Sequence, residues 1–189
     1  MTTFFTSDTH FGDPRILRID KRPFKTLSDH DAALIANWNE TVGPDDTVWH
    51  LGDFALGPTD DRVAELIAIL NGEKHLLIGN NDGPGTLQAP GWASIGHYAE
   101  LRVDDTHLIL CHYAFRTWND IGRGAIDLHG HSHGKLTPIP KQYDVGVDAQ
   151  EFRPVTLPQI LASRRRRGAG AGPGRPGSGP KAVAVEPET

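Results

Sequence analysis

This chain of 189 residues predicts an α/β domain in which two sheets pack face to face with helices outside, and three observations carry that expectation. Apolar runs of strand length recur from the N-terminus to about residue 147. Two stretches with apolar residues at helical spacing fall between the first three runs. After the third run helical signals thin out and strand signals dominate, so the order is β-α-β-α-β and then mostly strands.

Residues 3–7 open the chain as a strand. Ser28-Asp29-His30-Asp31 has the form of a capping box, and the helix it opens places Leu34, Ile35, Trp38 and Val42 on one face. Residues 46–51 are the next strand. Thr59 can cap a second helix, because its hydroxyl accepts from an otherwise unpaired N–H of the first turn. Val63, Leu66, Ile67 and Leu70 then face inward, and Asn71-Gly72 stops the helix. Further strands are expected near 74–78, 101–103, 106–112, 126–129 and 143–147. There is no internal repeat.

Length and composition narrow the function. The chain makes one domain with one real core. Its single cysteine, Cys111, excludes an internal disulfide framework and fits a reducing compartment. The N-terminus lacks a basic region followed by a long apolar stretch, and no run approaches the roughly 20 apolar residues of a membrane span, so a cytoplasmic protein without membrane contact is expected. Of the formal net charge of −5, residues 164–189 contribute +4, from six basic and two acidic side chains, which leaves −9 on residues 1–163. The expected organisation is a folded domain over 1–163 and a basic Gly/Pro-rich tail over 164–189. That tail has too few large apolar side chains to offset the entropy of ordering it.

Residues that carry chemistry sit just beyond the apolar runs: Asp8 and His10, Asp53, Asn80, His112, then His131 and His133. D-x-H and H-x-H spacings let alternate side chains of an extended segment reach one point. Gly130 and Gly134 let the backbone approach that point closely. Singly these signals are weak. Gly-Asp is common turn chemistry, Asn tolerates a left-handed turn, and a lone His after an apolar strand usually finds a backbone partner. Their conjunction at five strand ends is the layout of a two-metal hydrolase.

The ordered blocks Asp8-Thr9-His10, Gly52-Asp53, Gly79-Asn80-Asn81-Asp82, His112 and Gly130-His131-Ser132-His133 resemble the signature of the calcineurin-like metallophosphoesterases, in the manner of a small bacterial or phage-type member. The resemblance runs from Phe4 to about Asp148. It implies a four-layer α/β/β/α sandwich of two mixed sheets with the metal site at the strand ends. It also implies that Asp8, His10, Asp53 and His133 hold one divalent ion while Asp53, Asn80, His112 and His131 hold a second, with Asp53 bridging. Mixed oxygen and imidazole donors suit Mn²⁺, Fe, Zn²⁺, Ni²⁺ or Co²⁺ better than Ca²⁺. Two such cations about 3.5–4 Å apart supply a hydroxide at neutral pH and absorb the charge of in-line displacement. The expected substrate is a phosphate ester, with a nucleotide or cyclic nucleotide among the candidates.

Asn81 departs from the resemblance, since that position is most often His. Members with His are thought to use it to contact the phosphate and protonate the leaving oxygen. An amide donates a hydrogen bond but has no proton to give up near neutral pH. Without acid assistance, commonly worth about 10²–10⁴ in rate, phosphodiesters with good leaving groups should be favoured over alkyl monoesters. Catalytic roles are thus expected for Asp53 and Asn81, and substrate contacts for Asn80, Asn81 and Arg116. Arg15 and Arg123 are further candidate phosphate clamps. His50, His97 or a metal-bound water could replace the missing donor, and Asp82 can orient its neighbours. Asp13 reads as a turn residue ahead of Pro14, or as an added carboxylate near the metals. Two other classes compete: a non-catalytic scaffold, which has no chemical reason to keep seven ligands, and a nucleic-acid-binding module using the tail, which the acidic domain would oppose.

Overall fold

The computed structural model describes residues 1–162, and the tail expected to be disordered lies outside the described residues. In chain order the elements are β1 (Thr3–Thr6), α1 (Ile16–Ile19), α2 (Leu27–Thr41), β2 (Thr47–His50), α3 (Asp60–Ile69), β3 (Glu73–Leu77), α4 (Pro84–Gln88), β4 (Trp92–Gly96), β5 (Tyr98–Val103), β6 (Thr106–Cys111), β7 (Ile126–His129), β8 (Gln142–Asp144) and β9 (Val155–Thr156). Short 3-10 turns cover Ile121–Arg123 and Val147–Ala149, and residues 157–162 are helical.

The strands form a five-stranded sheet, β4-β3-β2-β1-β9, and a four-stranded sheet, β5-β6-β7-β8. β1 to β4 are parallel and β9 antiparallel; β6 to β8 are parallel and β5 antiparallel, so both sheets are mixed. Successive strand residues point to opposite faces, and the core divides accordingly. Phe4, Val48 and Leu76 pack with Leu34 and Trp38 of α2 and Val63, Leu66 and Ile67 of α3. Phe5, Leu51 and Leu77 pack with Leu108, Leu110, Ile126 and Leu128 of the second sheet. The outer face of that sheet buries Ile109 under Trp118 and Ala125, with Phe115 and Ile121 against them. The architecture is the expected α/β sandwich of two mixed sheets, and its fourth layer is a thin covering of loop and 3-10 turn.

Two local expectations need correction, and a third is met. The N-cap of α2 is Thr26, whose Oγ1 accepts from Asp29 N at 3.0 Å, so Ser28 lies inside the helix. Thr59 does cap α3, accepting from Arg62 N at 3.4 Å. The strand placed at 143–147 is β8 alone, because Val147 already belongs to a 3-10 turn. Unforeseen were α1, α4, β4 and β9, which are short or, for β4, largely exposed, and leave little periodicity to read.

Parallel pairing decides where the chemistry lies. β1, β2 and β3 all end on one edge of the first sheet, so the loops carrying Asp8 and His10, Asp53, and Asn80 emerge side by side. β6 and β7 end together in the second sheet and deliver His112 and the loop with His131 and His133. No described helix is long and apolar enough to cross a membrane.

Candidate metal centre

All seven sequence-expected ligands come together where these loops meet. Each half of the site has two imidazoles, with the Asp8 carboxylate in the first, the Asn80 amide oxygen in the second and the Asp53 carboxylate between them. Asp8, His10 and His133 offer ligand atoms within 4.8 Å of one another, as do Asp53, His112 and His131. Asp53 Oδ2 joins the halves, lying 3.5 Å from His10 Nε2 and 3.6 Å from His112 Nε2. Asn80 Oδ1 lies 3.1 Å from His112 Nε2.

The donor set fits a cation. Both ring nitrogens of His10 are buried without a hydrogen-bond partner among the described residues, and an unmet buried polar atom costs about 1–3 kcal/mol unless something else, here a metal ion, takes its lone pair. His112 Nδ1 donates to Leu51 O at 2.7 Å, which leaves Nε2 unprotonated and turned toward Asp53 and Asn80. His133 Nδ1 is 2.7 Å from Asp148 Oδ2, an arrangement that orients its Nε2 toward Asp8. Burial lowers the His10 pKa to about 4 and lowers that of His112, so both imidazoles are in their ligating form. Burial also pushes the Asp8 carboxyl well above its usual range, and a nearby positive charge is what would keep it ionised. For His133 burial acts downward too, but the bond to Asp148 and the charges of Asp8, Asp148 and Asp20 outweigh it and raise the pKa.

Backbone conformation is part of the construction. Asp8, His10, Asp53, His131 and His133 have φ of 57°, 50°, 58°, 62° and 48°, a left-handed region that costs non-glycine residues roughly 1–2 kcal/mol each. Such strain concentrates where geometry is over-determined by function. Two glycines are required by close approach: a Cβ on Gly79 would collide with the Asp53 carboxylate, and one on Gly130 with Ser7 Oγ and Asp8 Oδ2. Asp82 ties two loops together, accepting from Asp53 N, Phe54 N and Gly79 N, each at 2.8 Å.

The other expected residues divide. Asn81 donates from its backbone N to Asp53 Oδ1 and from Nδ2 to Asp53 Oδ2, both at 2.7 Å, so its amide grips the carboxylate between the clusters. Arg15 forms a fork on Asp13 and Arg123 pairs with Asp120, both arginines at the surface. Asp13 is the turn residue expected, accepting from Arg15 N, and its carboxylate also lies 3.8 Å from His10 Nδ1. Arg116 is exposed. His50 does not suit a proton donor to substrate: it is wholly buried, its Nδ1 accepts from Gly52 N and its Nε2 meets Thr9 Oγ1 at 2.9 Å. His97 is exposed just past β4.

Sequence reasoning missed Arg22, Asp148 and Tyr113. Asp148 stands at the end of an expected strand, the same signal that found the ligands. Arg22 lies in a stretch without periodicity and gives no signal. Tyr113, 47% exposed, sets its ring 4.9 Å from that of His112 and 4.8 Å from that of His131, forming an open aromatic wall beside the second cluster.

His50 sets an acid limit on stability. Burial lowers its pKa to about 3, so below the unfolded value near 6.5 the unfolded chain takes up the proton first. Its share of stability is therefore complete above about pH 6.5 and is lost as pH falls toward 3, by about 1.4 kcal/mol per pH unit. Metal-free protein should show a lower urea midpoint at pH 5 than at pH 7, and His50→Gln should flatten that slope by about one proton. An unchanged slope in His50→Gln would assign the acid sensitivity to other groups.

No family model matches the chain. The Gene 66 protein of Mycobacterium phage L5 is 31% identical over 180 residues, covering 78% of this chain and 86% of the relative. The Gene 66 protein of Mycobacterium phage D29 is 33% identical over 177 residues, covering 77% and 87%. Among solved structures, a protein of unknown function from Aquifex aeolicus, AQ665, superposes with a TM-score of 0.69 at 22% identity over 85% of this chain and 98% of that one, which supports the fold. Looser superpositions have TM-scores of 0.44 on an archaeal phosphodiesterase, at 19% identity over 77% and 82% of the two chains, and 0.42 on the E. coli phosphoesterase Yfce, at 15% over 83% and 82%.

Proposed function

We propose, from the premise that this chain belongs to the family of the mycobacteriophage Gene 66 proteins, that it is a calcineurin-like, two-metal phosphoric ester hydrolase favouring phosphodiesters. The observation that carries the reading is Asp53 Oδ2, set at near-equal distances from a histidine of each cluster. A carboxylate so placed is built to be shared. Asp8, His10, Asp53 and His133 would hold one ion, and Asp53, Asn80, His112 and His131 the other. Bound there, two divalent transition-metal ions supply a nucleophile at neutral pH and charge neutralisation for in-line displacement.

The chain's own residues do the rest. Asn81 fixes both oxygens of Asp53, and Asp82 fixes the backbone on either side. The second cluster is reached through exposed Asn80 and His131, with Tyr113 beside them, so a substrate approaches from that side. No carboxylic acid or imidazole occupies the Asn81 position to protonate a departing alkoxide, and this supports the preference for diesters with good leaving groups. The proposed catalytic unit is residues 1–163, acting in the cytoplasm on a phosphate ester such as a nucleotide.

The test is reconstitution with Mn²⁺, elemental analysis, and turnover of an aryl phosphodiester against the aryl monoester. Two ions per chain with faster diester hydrolysis is the expected result. No more than trace metal after reconstitution would end the dinuclear reading.

A further inference from the structure

We propose that Arg22 is a positioning residue for the first metal half-site, holding Asp8, His10 and His133 in ligating geometry without touching substrate; the inference rests on the dinuclear reading above. The guanidinium is buried, its side chain wholly inaccessible, and every direction it offers is used. Nη2 donates to Asp8 O at 2.6 Å and Nη1 to Thr9 O at 3.0 Å, which grips the backbone between Asp8 and His10. Nε and Nη2 form a fork on Asp148 at 2.9 and 2.7 Å, and Asp148 Oδ2 in turn meets His133 Nδ1. One side chain thus reaches all three members of that cluster, two through main chain and one through a carboxylate.

The network continues behind it. Nη1 also lies 2.8 Å from His30 Nε2. A guanidinium only donates, so Nε2 accepts and His30 Nδ1 donates to Asp31 Oδ1 at 2.8 Å. Asp31 Oδ2 then accepts from Gly12 N at 3.2 Å, returning to the loop that carries Asp8 and His10. That loop is held at Asp8 O and Thr9 O by Arg22, which His30 of α2 backs, and at Gly12 N by Asp31 of α2. Among the described residues no corresponding arginine serves the second cluster: Asp53 and His112 are supported by Asn81, Asp82 and Leu51 O, and His131 N donates to the Asp8 carboxylate. Two strained ligands, Asp8 and His10, depend on this grip.

The fork matters beyond the charge. Lysine keeps the positive charge but cannot bond two carbonyls, a histidine and both carboxylate oxygens at once. Arg22→Lys should therefore weaken one of the two ions by about 10–100-fold, the range for losing a ligand's supporting partner, and leave the other within about 3-fold. The full-length protein, stripped of metal and titrated with Co²⁺, reports this by calorimetry and by the visible absorption of each bound ion. Asp148→Asn, which removes the carboxylate but keeps its size, should single out the same ion and its absorption band. Far-UV circular dichroism of the metal-free variants controls for folding, and Asp148→Asn decides the matter if Arg22→Lys does not fold. Two ions bound by a folded variant with wild-type affinities, or both weakened equally, would overturn this inference alone. A wild-type protein that takes up no Co²⁺ would overturn the dinuclear reading as well.

Discussion

Asp53→Ala should abolish binding of both metal ions and lower phosphodiester turnover by about 10³-fold or more. The carboxylate is the contact common to the two clusters, with Oδ2 at 3.5 Å from His10 Nε2 and 3.6 Å from His112 Nε2. Removing it leaves Asp8 as the one carboxylate among the expected ligands and none in the second cluster, and the several kcal/mol of charge stabilisation that bound cations provide is lost with them. His133→Ala is the contrasting variant, because His133 belongs to one cluster only, so it should weaken mainly one ion. Metal content after dialysis separates the two outcomes. Full activity in Asp53→Ala would remove the bridging role.

Asn81→His should raise turnover of diesters with poor leaving groups by up to about 10²–10⁴ while changing activated aryl esters little. Asn81 sits at the turn after β3 and aims its amide at Asp53. An imidazole there can still donate to that carboxylate, and it carries a proton near neutral pH that an amide does not. The expected signature is a steep fall of the wild-type rate with leaving-group pKa and a shallow fall for the variant. Equal slopes would mean that another group supplies the proton, and the proposed diester preference would go with it.

Much of this site was legible because its residues follow strands. An apolar run ending in Asp, Asn or His is visible without knowing how strands pair, and seven such residues converge through parallel pairing of β1 with β2, of β2 with β3 and of β6 with β7. The first half of the fold was legible for the related reason that α2 and α3 bury one face each. What was not legible depends on tertiary contact. Arg22 is 126 residues from Asp148 and has meaning only once the two meet. Thr26 wins the cap of α2 over Ser28 because the chain enters the helix earlier, which composition alone does not reveal. The thin fourth layer follows from Trp118 and Ala125 covering Ile109 in a segment without helical period.

Asp82 has a consequence for motion. Its two oxygens hold the amides of Asp53, Phe54 and Gly79, which belong to loops that follow different strands. An amide exchanges its hydrogen with solvent only when its bond opens, and a displacement of the shared Asp82 carboxylate opens all three at once. These three amides should exchange with deuterium as one protected set, although two of them lie more than 20 residues from the third along the chain. The loops after β2 and β3 should therefore breathe as a single body, with Asp53 keeping its place relative to Asn80 while the Asp82 bonds hold.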